Sequence, residues 1–200
     1  MSNLKRHVEN VQKFGIVPII SINRFSADTE AEIKLVEDTC KSLGVEAFMA
    51  DHWAMGGEGA ANVAKAVVKV AESGKSKLKF LYPDDMPLLE KIRTIAKEIY
   101  RAKDISVDKP VRDQLAAFES MGYGKFPICV AKTQYSFSTN ADAKGAPTDH
   151  IVNVREVRLS AGAEFVVAIC GEVMTMPGLP RVPAADVIDI GADGKIVGLF

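Results

Sequence analysis

Several things this 200-residue sequence lacks narrow its chemistry before any motif is read. It has three cysteines, Cys40, Cys129 and Cys170, far apart and in no C-x-x-C pair. That count and spacing read as reduced thiols rather than a disulfide framework or a zinc knuckle. Its histidines, His7, His52 and His150, are equally scattered, and no H-E-x-x-H is present, so no protein-bound metal centre is expected. No apolar run is long enough to span a bilayer, and Met1-Ser2-Asn3-Leu4-Lys5-Arg6 is not followed by an apolar signal core. The expected location is the cytoplasm, with no membrane partner. The 25 basic and 26 acidic residues nearly cancel and form no broad basic footprint, so nucleic acid is not an expected partner either.

What is present is an ordinary globular composition, 48% hydrophobic and 26% charged, with alternating element signals. Leu4 to Phe14 reads as the end of a helix stopped by Gly15. Ile16 to Ile22 is almost wholly apolar and fits a strand covered on both faces, with Pro18 near its start. A helix is expected from Thr29 to Leu43, with Thr29 and Glu32 spaced as a capping box and Ile33, Val36, Cys40 and Leu43 as its stripe. Val45 to Ala50 reads as a second strand. The loop Gly56-Gly57-Glu58-Gly59 then leads into a helix from Ala60 to Glu72, striped by Ala60, Val63, Ala64, Val67 and Ala71. Strand–helix–strand–helix is the signature of a layered βαβ fold.

Ser73 to Lys79 is a small charged stretch and the expected boundary, dividing the chain into 1–74 and 75–200. Beyond it, Pro87 opens a helix with the stripe Leu88, Ile92, Ile95 and Ile99, and a shorter helix runs from Pro110 to Met121. Phe126 to Thr133 reads as a strand, and Ile151 to Leu159 with Phe165 to Cys170 as a hairpin. Met174 to Ala185 carries three prolines and is expected to lack regular structure. The fold class is therefore α/β, a βαβ sheet followed by a smaller α+β region.

No catalytic set emerges: there is no credible Ser-His-Asp arrangement, and the catalytic residues stay unknown. The glycine-rich loop lets backbone approach a ligand closely, yet it has no Gly-Lys-Ser/Thr ending and is not G-x-G-x-x-G. A tight strand-to-helix connection is its simpler reading. Phe25 and the single tryptophan, Trp53, each follow a strand, and two aromatics at neighbouring strand ends can wall one slot for a flat heterocycle. Asn23 and Arg24, at the same strand end, can bond a carboxylate or phosphate, or serve as a cap and a surface ion pair. Gly56, Gly57 and Gly59 are candidate lining positions. Lys132 to Ser138 is a polar–aromatic cluster that reads as an ordered loop or a pocket wall, and alternation sends Glu156 and Arg158 to one face, most simply solvent.

Five segments, in order, resemble one family: Ile22-Asn23-Arg24-Phe25; His52-Trp53-Ala54 with Gly56-Gly57-Glu58-Gly59; Lys132 to Ser138; Val154 to Gly162; and Met174 to Pro180. They look like the C-terminal portion of formate–tetrahydrofolate ligase. The resemblance covers essentially the whole chain, to Gly198-Leu199-Phe200. It implies an ATP-dependent joining of formate to tetrahydrofolate, with Phe25 and Trp53 sandwiching the folate ring system. Ser26 and Met55 stand where relatives often carry proline and lysine. The resemblance further implies that the sheet belongs to a phosphate-loop NTPase-like fold whose phosphate loop, binding ATP, lies upstream. It also implies an exposed strand edge here. A separate N-terminal ligase chain and a homo-oligomer are the candidate protein partners, and tetrahydrofolate, formate and ATP the candidate ligands.

Overall fold

The computed structural model describes residues 1–173 and 180–199. Met174 to Leu179, which carry most of the fifth resembling segment, and the final Phe200 lie outside the described residues. The first half is helix α1 (Ser2–Lys13), strand β1 (Ile19–Asn23), helix α2 (Glu30–Ser42) and strand β2 (Glu46–Ala50). A one-turn helix α3 (His52–Met55), a 3-10 turn (Gly56–Ala60) and helix α4 (Ala61–Glu72) follow. β1 and β2 pair in parallel from Ile19↔Glu46 to Asn23↔Ala50, so β1–α2–β2 is a βαβ unit. α2 begins where its capping box places it: Thr29 accepts from the Glu32 backbone, and the Glu32 carboxylate accepts from the Thr29 backbone N–H at 3.0 Å. Val8, Cys40 and Val45 form the core of this layer, with Ile20, Val36 and Ala47 packed against them.

The apolar run Ile16 to Ile22 is only partly a strand, and it is not covered on both faces. β1 starts after Pro18, which has no N–H to give a ladder, and Ser21 and Asn23 are exposed in a sheet of two strands. Residues 14–17 pair elsewhere, with the charged stretch after α4. Lys77 and Lys79 donate to the carbonyls of Gly15 (2.8 Å) and Phe14 (3.0 Å), and Val17 donates to Ser76 Oγ. Gly15 sits at φ +72°, and a Cβ there would stand 2.0 Å from the Lys77 oxygen, which only glycine permits. The α4 stripe is also rotated from its expected position: Ala66 is buried, while Ala64, Val67 and Ala71 are exposed. Alanine and valine are so frequent in this helix that periodicity alone does not select the inward face.

The second half contains helix α5 (Leu88–Glu98), strand β3 (Asp104–Val107), helix α6 (Lys109–Phe118) and strands β4 (Ile128–Ala131), β5 (Ile151–Ser160) and β6 (Phe165–Cys170). The strand order is β3-β5-β6-β4, mixed: β3 runs parallel to β5, β5 antiparallel to β6, and β6 parallel to β4. β3 is absent from the sequence expectation because Asp104-Ile105-Ser106-Val107 is too short to show a period. A bulge at Arg155 shifts β5 by one residue, so Val152 and Val154 point inward before it and Val157 and Leu159 after it. Glu156 and Arg158 are left on the outer face, bonded to each other at 2.5 Å and 3.2 Å.

The region expected to be the smaller one holds the larger core, built from Leu88, Ile92, Leu115, Val152, Val166 and their neighbours. Within it Lys91 is fully buried, its ammonium donating to the carbonyls of Gly124 and Phe126 at 2.9 Å each. α1 reaches both cores: Val8 packs on Cys40, while Arg6 and Asn10 donate to the backbone carbonyls of Tyr100 and Ile99. In the proline-bearing segment, Ala184–Asp186 forms a 3-10 turn, and a two-residue hairpin, β7 (Asp189–Ile190) with β8 (Ile196–Val197), follows. No described helix is long and apolar enough to cross a membrane, and no cluster of metal-ligating side chains occurs among the described residues.

Candidate functional site

Parallel pairing of β1 with β2 sets Asn23 opposite Ala50, so both chains leave the sheet at the same end. In sheets of this kind ligands occupy the crevice beyond the carboxyl ends of the strands. A cleft of about 350 Å³ lies there, lined by Asn23 to Ser26 from one strand end and Ala50 to Ala54 from the other. Phe25 and Trp53 both line it, 70% and 91% exposed. A tryptophan left this open is costly apolar surface in water.

Local bonding holds each aromatic. The Phe25 N–H donates to the Asp28 carboxylate at 2.8 Å, and the Asp28 N–H returns to the Phe25 carbonyl, a side-chain-closed turn running directly into the Thr29 cap. Hydrogen bonding to Thr29 holds the Glu32 carboxyl below its ordinary range, so this cap is ionised at neutral pH. The Arg24 N–H extends the strand ladder to the Ala50 carbonyl, and its guanidinium bonds Glu30 at 3.0 Å at the start of α2. Arg24 therefore forms a surface ion pair while also lining the cleft.

Trp53 rides on α3, whose first turn is closed by Met55 N–H to the Asp51 carbonyl. Gly56, Gly57 and Gly59 do not line the cleft. Gly56 turns the chain at φ +59°, and Gly59 packs onto the Asp51 backbone, which donates to the Gly59 carbonyl at 3.0 Å. The glycines thus shape the turn that carries Trp53. Ser26, next to Phe25, was not expected as a lining residue, and neither were Ala50, Asp51, His52 and Ala54. The signal of these last four in the sequence was only adjacency to Trp53 at a strand end.

Lys132 to Ser138 follows β4 and is an ordered loop: Ser136, Phe137 and Ser138 are buried, and Ser136 Oγ donates to the Ala143 carbonyl at 2.6 Å. It shares no residue with the aromatic cleft. No nucleophile–base pair is assembled at the Phe25–Trp53 cleft. Stacking and polar anchoring of a flat molecule is the chemistry its walls offer.

As a class, this is a mixed α/β chain with an open cleft, lined by two aromatics, at the carboxyl ends of paired parallel strands. Comparison with known sequences narrows this. The profile of the formate–tetrahydrofolate ligase family matches residues 1–200, and this chain belongs to that family. It is 56% identical over 199 residues to the formate–tetrahydrofolate ligase of Granulibacter bethesdensis, covering 100% of this chain and 35% of that protein. It is 57% identical over 198 residues to that of Pelagibacter ubique (99% and 35%) and 56% over 198 residues to that of Roseobacter denitrificans (99% and 36%). The chain spans about a third of the length of these relatives.

Proposed function

We propose that this chain forms the folate-side portion of a formate–tetrahydrofolate ligase, which joins formate to tetrahydrofolate with ATP to give 10-formyltetrahydrofolate. The observation that carries the reading is the convergence of Phe25 and Trp53 on one cleft at the paired ends of β1 and β2. A pterin ring between two aromatic walls gains stacking and burial, and Asn23, Arg24 and Asp51 stand at the rim for its polar edge.

ATP has no fitted place among these residues. Gly74-Lys75-Ser76 is the single tripeptide of phosphate-loop type. It follows α4 instead of leading into a helix, Lys69 stands where a phosphate loop needs its first glycine, and Ser76 Oγ is engaged by the Val17 N–H. In this reading the phosphates are held by another part of the ligase, on the same polypeptide or on a separate chain, and the β1–β2 pair is a piece of a larger phosphate-loop NTPase-like sheet in a cytoplasmic, homo-oligomeric enzyme. Residues 1–74 and 75–200 are its two structural parts. A second reading, a folate-binding or assembly module with no turnover of its own, is favoured by the same lack of a phosphate loop.

The test is titration of the single tryptophan's fluorescence with tetrahydrofolate, corrected for absorption by the ligand. Saturable quenching that Phe25→Ala removes supports the folate-side reading. Absence of saturable quenching in the folded chain refutes a preformed slot. Full ATP-dependent turnover by the chain alone would refute the assignment of the phosphates to another part.

A further inference from the structure

Four residues, His7, Tyr100, Val130 and Phe137, line two cavities at once, so the two lie side by side. The larger, about 700 Å³, lies between α1, the stretch 80–84, α5 and β4, and its walls are mainly apolar, Phe14, Phe80, Tyr82, Ile95 and Ile99, with Asp84 the one carboxylate among them. The smaller, about 230 Å³, adds polar side chains, Asn3, Lys132, Thr133, Gln134 and Ser136, to the shared apolar walls. Neither shares a residue with the Phe25–Trp53 cleft. The larger lies within the range of volumes, roughly 300–1,000 Å³, that small ligands occupy.

Lys132 dominates the polar end. Its ammonium donates to two neutral carbonyls, Thr133 O at 3.1 Å and Ser136 O, and lies 4.8 Å from the centroid of the Tyr100 ring. Among the described residues no carboxylate pairs with it. Burial lowers its pKa, with the neighbouring Cys170 opposing that shift. The loop presenting it is rigid: the Ser138 N–H bonds Ser136 Oγ at 3.0 Å, and Phe137 is held by the His7 ring at 4.8 Å and the Arg6 guanidinium at 5.3 Å. At the apolar end, the buried Asn10 spends its amide on the Ile99 carbonyl at 3.1 Å and leaves Oδ1 without a partner among the described residues.

We propose that the composite cleft is a second ligand site, for an aromatic anion: a ring body in the slot between Phe14, Tyr82 and Ile95, with its oxyanion head on the Lys132 ammonium. The proposal is independent of the folate reading, because no wall is shared.

The probes are 8-anilinonaphthalene-1-sulfonate, an aromatic anion with a bridging N–H, and uncharged N-phenyl-1-naphthylamine. The sulfonate binds saturably at one site on the intact chain. Lys132→Gln weakens it about tenfold, the value of one charge-assisted contact. Lys132→Arg restores most of it, and the uncharged probe is unaffected by either change. Val11→Trp, at the exposed rim of the apolar slot, blocks both probes. Should Lys132→Gln loosen the loop, the intact chain still decides: added salt weakens the sulfonate and leaves the uncharged probe alone. Non-saturable binding, binding indifferent to Val11→Trp, or equal response of the two probes to charge and salt overturns the proposal.

Discussion

Gly59 lies so close to Asp51 that a Cβ on residue 59 would stand 2.3 Å from the Asp51 carbonyl oxygen and 2.4 Å from its carbon. Those atoms are backbone and cannot swing away. The contact locks the turn from which Trp53 projects, and it converts a glycine-rich segment into a positioning device rather than a cradle. Gly59→Ala is therefore expected to destabilise the chain by about 1–3 kcal/mol, the usual cost of overpacking. It also loosens Trp53, read as lower fluorescence anisotropy at temperatures where the chain is still folded. An unchanged melting temperature would refute the contact.

Trp53→Ala separates binding from folding. The side chain is 91% exposed, so its removal is expected to shift stability by less than about 0.5 kcal/mol. Tetrahydrofolate binding, followed calorimetrically because the fluorophore is gone, is expected to be lost. A large drop in melting temperature would show that the indole is a packing residue.

The capping box carries the loop that holds Phe25. Thr29→Ala removes the oxygen that accepts from the Glu32 N–H and is expected to cost about 1 kcal/mol. Thr29→Ser keeps the hydroxyl and is expected to be near neutral. Equilibrium urea unfolding compares the two, and equal losses would argue against the cap.

Burial pushes both the Tyr100 phenol and the Cys170 thiol up to about 12, from ordinary values of 10.0 and 9.0. A group whose pKa is raised on folding contributes stability that is whole below its unfolded pKa and is lost as pH rises towards the folded one. Stability is thus expected to fall between pH 9 and about 12, first through Cys170 and then through Tyr100. Tyr100→Phe removes the phenol's share, so the stability of wild type relative to the variant falls as pH rises above 10. Denaturant melts across this range measure it, and a pH-independent difference would contradict the burial of the hydroxyl.

Much of this was written in local sequence. Thr29 and Glu32 announced the start of α2, Gly15 and Gly44 the ends of two helices, and the strand-end positions of Phe25 and Trp53 their place on one cleft, because capping, left-handed φ and strand ends depend on residues a few places apart. Which valines of α4 point inward, that β3 exists, and that β5 changes phase at Arg155 were not legible, since each depends on which surface lies opposite. Nor could spacing show that Gly59 serves Asp51, or that Lys132, Tyr100 and His7, far apart along the chain, close one cavity. Local chemistry chose the elements and the aromatic pair. The tertiary structure chose their partners, because packing and close approach are relations between surfaces that only the folded chain brings together.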